Sequence, residues 1–225
     1  KLAHARARDA VHDALDMKQL ATDLAPLGLD VVVVDSAAED RPRYLMRPDL
    51  GRRLAPEAEA KLAPHTKRHD VVFVIADGLS ARAVQRHAQP VLAGTIKALR
   101  AEGLSIGPLV IVRHGRVAVG DAIASLLGGD SVAVLIGERP GLTAPDSMGA
   151  YLTWQPHPGT TDADRNCISN IHPPDGLHYD VAARTTAALI DGARKLGRSG
   201  VALKDMSRTD ALAQIDDAEA LPHES

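Results

Sequence analysis

Three unbroken aliphatic runs constrain this chain more than any other feature of its sequence. They are Val31-Val32-Val33-Val34, Val71-Val72-Phe73-Val74-Ile75-Ala76 and Val132-Ala133-Val134-Leu135-Ile136. A strand with one wet face alternates apolar and polar residues, whereas a solid β-branched run is a strand covered on both faces. Leu104 to Val112 is a fourth candidate, weakened by Gly107 and Pro108. Helical stretches separate the runs, at 3–25, near Glu57 to Leu62, over 80–101, over 121–127 and over 179–195. Strands alternating with helices predict an α/β fold on a parallel sheet.

The remaining segments are less regular. Residues 36–56 read as a mostly irregular connection, and 139–149 as a Gly/Pro loop. Tyr151 to Gln155 reads as an edge strand, followed by a long irregular stretch over 156–178. Pro90 is expected to kink or break the helix over 80–101. The tail from 205 is polar and acidic. The chain opens on Lys1 rather than Met, which reads as a truncated or processed N-terminus.

Composition excludes several function classes. With 26 Lys plus Arg against 29 Asp plus Glu, the net charge of −3 gives no global attraction for nucleic acid. One Trp, one Phe and three Tyr are too few for base-stacking platforms. No apolar run approaches the roughly 20 residues of a membrane span, and no signal peptide opens the chain. The single cysteine, Cys167, cannot close an internal disulfide, which fits a cytoplasmic protein.

In parallel sheets, ligands sit beyond the carboxyl ends of the strands. That directs attention to Asp77-Gly78-Leu79-Ser80, Arg113-His114-Gly115-Arg116-Val117 and Glu138-Arg139-Pro140-Gly141-Leu142. None carries a dinucleotide or P-loop fingerprint, and no local zinc signature exists. Gly103-Leu104-Ser105-Ile106-Gly107 spells Gly-x-Ser-x-Gly but lies between a helix and a strand, the reverse of a nucleophile elbow. On spacing alone Glu138 is a loop brace or surface ion pair before it is a ligand contact. Val117 is a core residue first, and Cys167 a small buried hydrophobe first. Asp77 is a helix cap before it is a catalytic acid. His157, His172 and His178 read as solvated. The pairs Arg41/Arg43 and Arg52/Arg53 could meet a phosphate or a partner protein, with a solvated face the plainer reading.

Five segments, taken together and in order, resemble the small subunit of ethanolamine ammonia-lyase. They are Tyr44-Leu45-Met46-Arg47-Pro48-Asp49-Leu50-Gly51-Arg52-Arg53-Leu54, Ala76-Asp77-Gly78-Leu79-Ser80, Val112-Arg113-His114-Gly115-Arg116-Val117, Gly137-Glu138-Arg139-Pro140-Gly141-Leu142 and Ala163-Asp164-Arg165-Asn166-Cys167-Ile168-Ser169-Asn170-Ile171-His172. The resemblance spans about residues 3–200. It implies a Rossmann-like cobalamin-binding domain over 66–204, after a smaller helical and irregular region over 1–65 with one strand, and before a polar tail over 205–225. It implies the small subunit of an adenosylcobalamin-dependent lyase that converts ethanolamine to acetaldehyde and ammonia. A large subunit holds the substrate, and this chain helps to enclose the cofactor at the interface of a hetero-oligomer.

Carried over residue by residue, the resemblance implies cofactor contacts at Val117, Glu138 and Cys167. It implies no catalytic side chain and no metal ligand on this chain, and a place in the cytoplasm or a bacterial microcompartment. Asp-x-His-x-x-Gly, by which some cobalamin proteins supply a histidine to cobalt, is absent. Two other readings stay open: a noncatalytic α/β protein-binding or scaffold module, and a stand-alone small-molecule lyase using Asp77 and Glu138.

Overall fold

The computed structural model describes residues 13–141 and 144–203. The first part of the helix expected over 3–25, Leu142 and the tail over 205–225 lie outside the described residues. Six strands form one sheet: β1 (Val31–Asp35), β2 (Val71–Ala76), β3 (Ile106–Arg113), β4 (Ser131–Gly137), β5 (Met148–Trp154) and β6 (Arg165–Ile171), in the order 1-3-2-4-5-6. The first four are mutually parallel, whereas β4–β5 and β5–β6 pair antiparallel. The fold is therefore α/β, but its sheet is mixed and not wholly parallel.

The central runs behave as their composition dictates. Every residue of β2 and β4 is buried. One face is covered by α1 (Met17–Leu24), α4 (Ala81–Ala101) and α6 (Tyr179–Leu196). The other is covered by α3 (Ala58–Leu62) over β1 and α5 (Val119–Leu127) over β2 and β4. A short α2 (Arg41–Met46) interrupts the connection over 36–56.

Four expectations are corrected. The Val31–Val34 run is covered unequally on its two faces: β1 is an edge strand whose burial alternates, with Val32 and Val34 inside one core cluster and Val31 and Val33 only partly buried against the other. Tyr151 to Gln155 is not an edge, because β6 pairs outside it. β6 falls within the stretch read as irregular. One face of this strand is open, so polar residues are permitted there. A bulge also breaks its period, with the register shifting between Met148 and Ala150 and Asn170 at φ 65°. Pro90 does not end α4, which runs unbroken through it because packing against α6 and the sheet outweighs one lost hydrogen bond. Pro108 is likewise tolerated in β3, where the β2–β3 register shifts between Val71 and Phe73.

Candidate functional site

The carboxyl ends of the parallel strands bring the three segments together. Asp77, which follows β2, does not cap α4. Ser80 does so, its side chain accepting from Ala83 N–H at 3.4 Å. Asp77 is 2% exposed and instead braces the turn after β3, accepting from Gly115 N–H at 3.1 Å with His114 at 3.2 Å and Arg41 at 3.5 Å. Arg41 is thus internal, not part of a solvated face; its Nη1–H donates to the Gly78 carbonyl at 2.7 Å. Gly78 has φ +57°, and a Cβ there would lie 2.3 Å from the Gly137 carbonyl oxygen, so only glycine lets the β2 and β4 ends approach so closely.

Tyr44 is fully buried beside this cluster, with the Arg116 and Arg41 guanidiniums 4.2 and 4.8 Å from its ring centroid. Burial raises its phenol from 10.0 to about 12. The charge of Asp77 adds to this, while Arg116 and Arg41 oppose it. The neutral phenol is thus favoured by folding. Its contribution is complete below about pH 10, where the unfolded phenol begins to ionise, and is lost by about pH 12. That loss is worth roughly 3 kcal/mol at about 1.4 kcal/mol per pH unit. Tyr44→Phe is expected to flatten the fall in stability over that range, as read from urea midpoints at pH 9, 10 and 11. An unchanged pH slope would contradict the assignment.

Glu138 follows β4 directly. Its carboxylate accepts from Ser147 Oγ at 2.5 Å, from Ser169 Oγ, and from Asn170 N–H at 3.3 Å. The β6 bulge is what turns Ser169 and Asn170 toward it. A Cβ on Gly149 would lie 2.9 Å from Glu138 Oε1 and 3.3 Å from the Tyr151 ring. Glycine there lets carboxylate and ring close over β5. Glu138 does brace three strand ends, as the plainer reading held. Three donors leave part of the capacity of two carboxylate oxygens free.

Cys167 is exposed on β6, which corrects its reading as a small buried hydrophobe. It pairs across the strand with Tyr151. Local desolvation pushes the thiol up. Tyr151 opposes this, the charge of Glu138 adds to it, and Cys167 is held as a protonated thiol. Burial, reinforced by Cys167, also pushes the Tyr151 phenol up.

Val117 lies in the turn entering α5, half-buried against the core cluster on that face, and its carbonyl accepts from Gly120 N–H at 3.1 Å. Val117 and Tyr151 line one groove of ≈ 520 Å³, with Arg52, Arg116, Asp162 and Arg165. Helix cover on this face thins beyond β4. Tyr151, Cys167 and Glu138 therefore stand on its open half, with Val117 at the border.

Two residues that sequence reasoning did not single out hold this surface together. Tyr151 pairs with Cys167, stands beside Glu138 over Gly149 and lines the same groove as Val117. Its signal was an aromatic side chain, in a chain with five, alternating with Gly149 and Thr153. Arg165 stands in the Ala163–His172 segment that carries the resemblance, but nothing in its spacing points to its partner. It donates to both Asp121 oxygens at 2.8 and 2.6 Å and to Thr153 Oγ1 at 2.7 Å, clamping β6 to α5. Of the three histidines, His157 and His178 are exposed, whereas half-buried His172 contacts Asn170 Oδ1 through Nε2 at 2.8 Å.

The family model for ethanolamine ammonia-lyase light chain (EutC) matches residues 1–204. A protein of Rhodococcus erythropolis named ethanolamine ammonia-lyase small subunit is 51% identical over 214 residues, 95% of this chain and 81% of that protein. Proteins of the same name from Azotobacter vinelandii and Rhodopseudomonas palustris are 49% and 52% identical, covering 99% and 93% of this chain and 82% and 80% of their own. With nearly the whole chain matched at about half identity, it belongs to the ethanolamine ammonia-lyase small-subunit family.

Proposed function

We propose that this chain is the small subunit of an adenosylcobalamin-dependent ethanolamine ammonia-lyase, and that it holds one side of the cofactor against a large subunit that binds ethanolamine. The observation that carries the cofactor reading is that Tyr151 pairs with Cys167, stands beside Glu138 and shares a groove with Val117, on the half of the sheet face where helix cover thins. The donor and acceptor chemistry there fits a corrin rim, whose amide side chains both donate and accept. Adenosylcobalamin supplies the difficult step, homolysis of its cobalt–carbon bond.

The residues of this chain bind and shield. Glu138, pre-oriented by two serines and an amide, accepts from a rim NH₂ group. The second lone pair of the Val117 carbonyl does the same. Cys167, held protonated, presents a compact and weakly polar surface without thiolate chemistry. Within this reading the parallel strands β2, β3 and β4 form the Rossmann-like part of a cofactor domain over 66–204, and 1–65 is its smaller companion, whose β1 extends the same sheet beside β3. No helix among the described residues is long and apolar enough to cross a membrane. The compartment implied is the cytoplasm or a bacterial microcompartment.

Glu138→Gln tests the reading. Gln keeps the shape and one acceptor oxygen but loses the charge-assisted hydrogen bond. A loss of about 1 kcal/mol or somewhat more is expected, near a tenfold rise in cobalamin dissociation constant in the assembled enzyme. The fall in melting temperature should be smaller in free-energy terms. An unchanged cobalamin affinity beside a large drop in melting temperature would leave Glu138 as a brace alone.

A further inference from the structure

The groove between the segment that follows α2, at Pro48 and Arg52, and the start of α5 carries more positive charge than the cofactor contacts above require. Arg52, Arg116 and Arg165 line it, against Asp162 as the acid of the lining. Two of these guanidiniums are incompletely paired. The Arg165 side chain is 3% exposed, and Asp121 takes its two Nη groups. Its Nε–H is buried with no hydrogen-bond acceptor among the described residues, and the same holds for Arg116 Nε. An unpaired buried N–H is costly, and the cost is relieved when an acceptor arrives. Arg52 is exposed and makes no ion pair among the described residues.

The groove also receives the positive end of α5. That helix starts at Val119, and Ala118 at its N-cap offers no side-chain acceptor. Helix N-termini favour anions. Asp121 in the first turn is committed to Arg165. Asp162, whose side chain is wholly exposed, reaches only to 3.8 Å from Arg165 Nε and stands in the position of a displaceable counter-charge.

The geometry points to this groove as a subsite for a phosphate-ester anion. Arginine forks match a phosphate that offers several acceptor oxygens, better than they match a single point acceptor. At ≈ 520 Å³ the groove has room for organic groups on the ester oxygens. One source is the phosphodiester in the nucleotide loop of cobalamin itself. The groove shares Val117 and Tyr151 with the proposed corrin side, and this source rests on the cobalamin reading. The other source is a free phosphate ester, which does not.

The test uses the full chain assembled with its large subunit. Dissociation constants are measured by absorbance for cobalamin and for cobinamide, which lacks the nucleotide loop and its phosphate. Glycerol 3-phosphate is titrated calorimetrically as the free ester. Arg52→Gln, on an exposed side chain, is expected to weaken cobalamin about threefold to tenfold and to leave cobinamide unchanged. Arg116→Gln should do the same more strongly, and Asp162→Asn should tighten cobalamin. Cobalamin unaffected by Arg52→Gln and Arg116→Gln, with glycerol 3-phosphate bound by wild type and weakened in those variants, assigns the groove to a free ester. Equal losses for cobalamin and cobinamide, or no effect on any of the three ligands, overturns the subsite. Failure of the wild-type complex to bind either corrinoid would instead defeat the cobalamin reading, and the glycerol 3-phosphate titration alone would then decide the subsite.

Discussion

Arg165→Met is expected to cost the folded chain about 3–5 kcal/mol, the largest stability effect of any single change proposed here. Met keeps the buried stem but removes the guanidinium. Asp121, whose side chain is 8% exposed, is then left charged and unpaired beneath α5. Thr153 loses its donor as well. The pair was costly to desolvate when it formed, so deleting both charges hurts less than deleting one. Arg165→Met with Asp121→Leu should recover a good part of the loss. Urea midpoints for the single and double variants measure this. A single-variant loss below about 1 kcal/mol would mean that water reaches the pair and that β6 is fixed to α5 by other contacts.

Cys167→Phe should leave stability nearly unchanged and lower cofactor affinity about tenfold to a hundredfold. The side chain is exposed on the outer strand, so a larger group meets no core neighbour when the chain is alone. In the assembled enzyme the same volume falls on the cofactor, and overpacking a filled site costs about 1–3 kcal/mol. Cys167→Ser nearly preserves volume and should retain most turnover. If Ser abolished turnover while cobalamin still bound normally, the thiol would have a chemical role that a protonated, weakly polar neighbour cannot supply.

What could be read from the sequence follows from how many faces each strand buries. Val71–Ala76 and Ser131–Gly137 were readable at their observed limits because helices cover both sides, and every position must be apolar. Gly128 marked the end of α5 for an equally local reason: it takes φ +74°, which Gly adopts without a Cβ penalty. β6 was not readable, because its polar face looks outward and its bulge disrupts alternation.

At the site, Glu138 stood out by its position after a buried run, and Asp77 did so too. The role of Asp77 is nevertheless not legible locally, since the Gly115 amide that it binds is 38 positions away. The Arg165–Asp121 clamp spans 44 positions, and no local pattern encodes a pairing at that range. The grouping of Val117, Glu138 and Cys167 around Tyr151 is likewise a product of strand order, not of spacing. Resemblance to a family named those three residues, and the sheet explains how they can share one surface.

The most direct measurement mixes the chain with adenosylcobalamin, with and without the large subunit. It follows the cobalamin absorbance that co-elutes with protein on gel filtration, together with acetaldehyde formed from ethanolamine. The account predicts no turnover by the chain alone, and both retained cobalamin and turnover once the large subunit is present. Substantial acetaldehyde from the isolated chain, or full cofactor retention and turnover by the large subunit without it, would contradict the account.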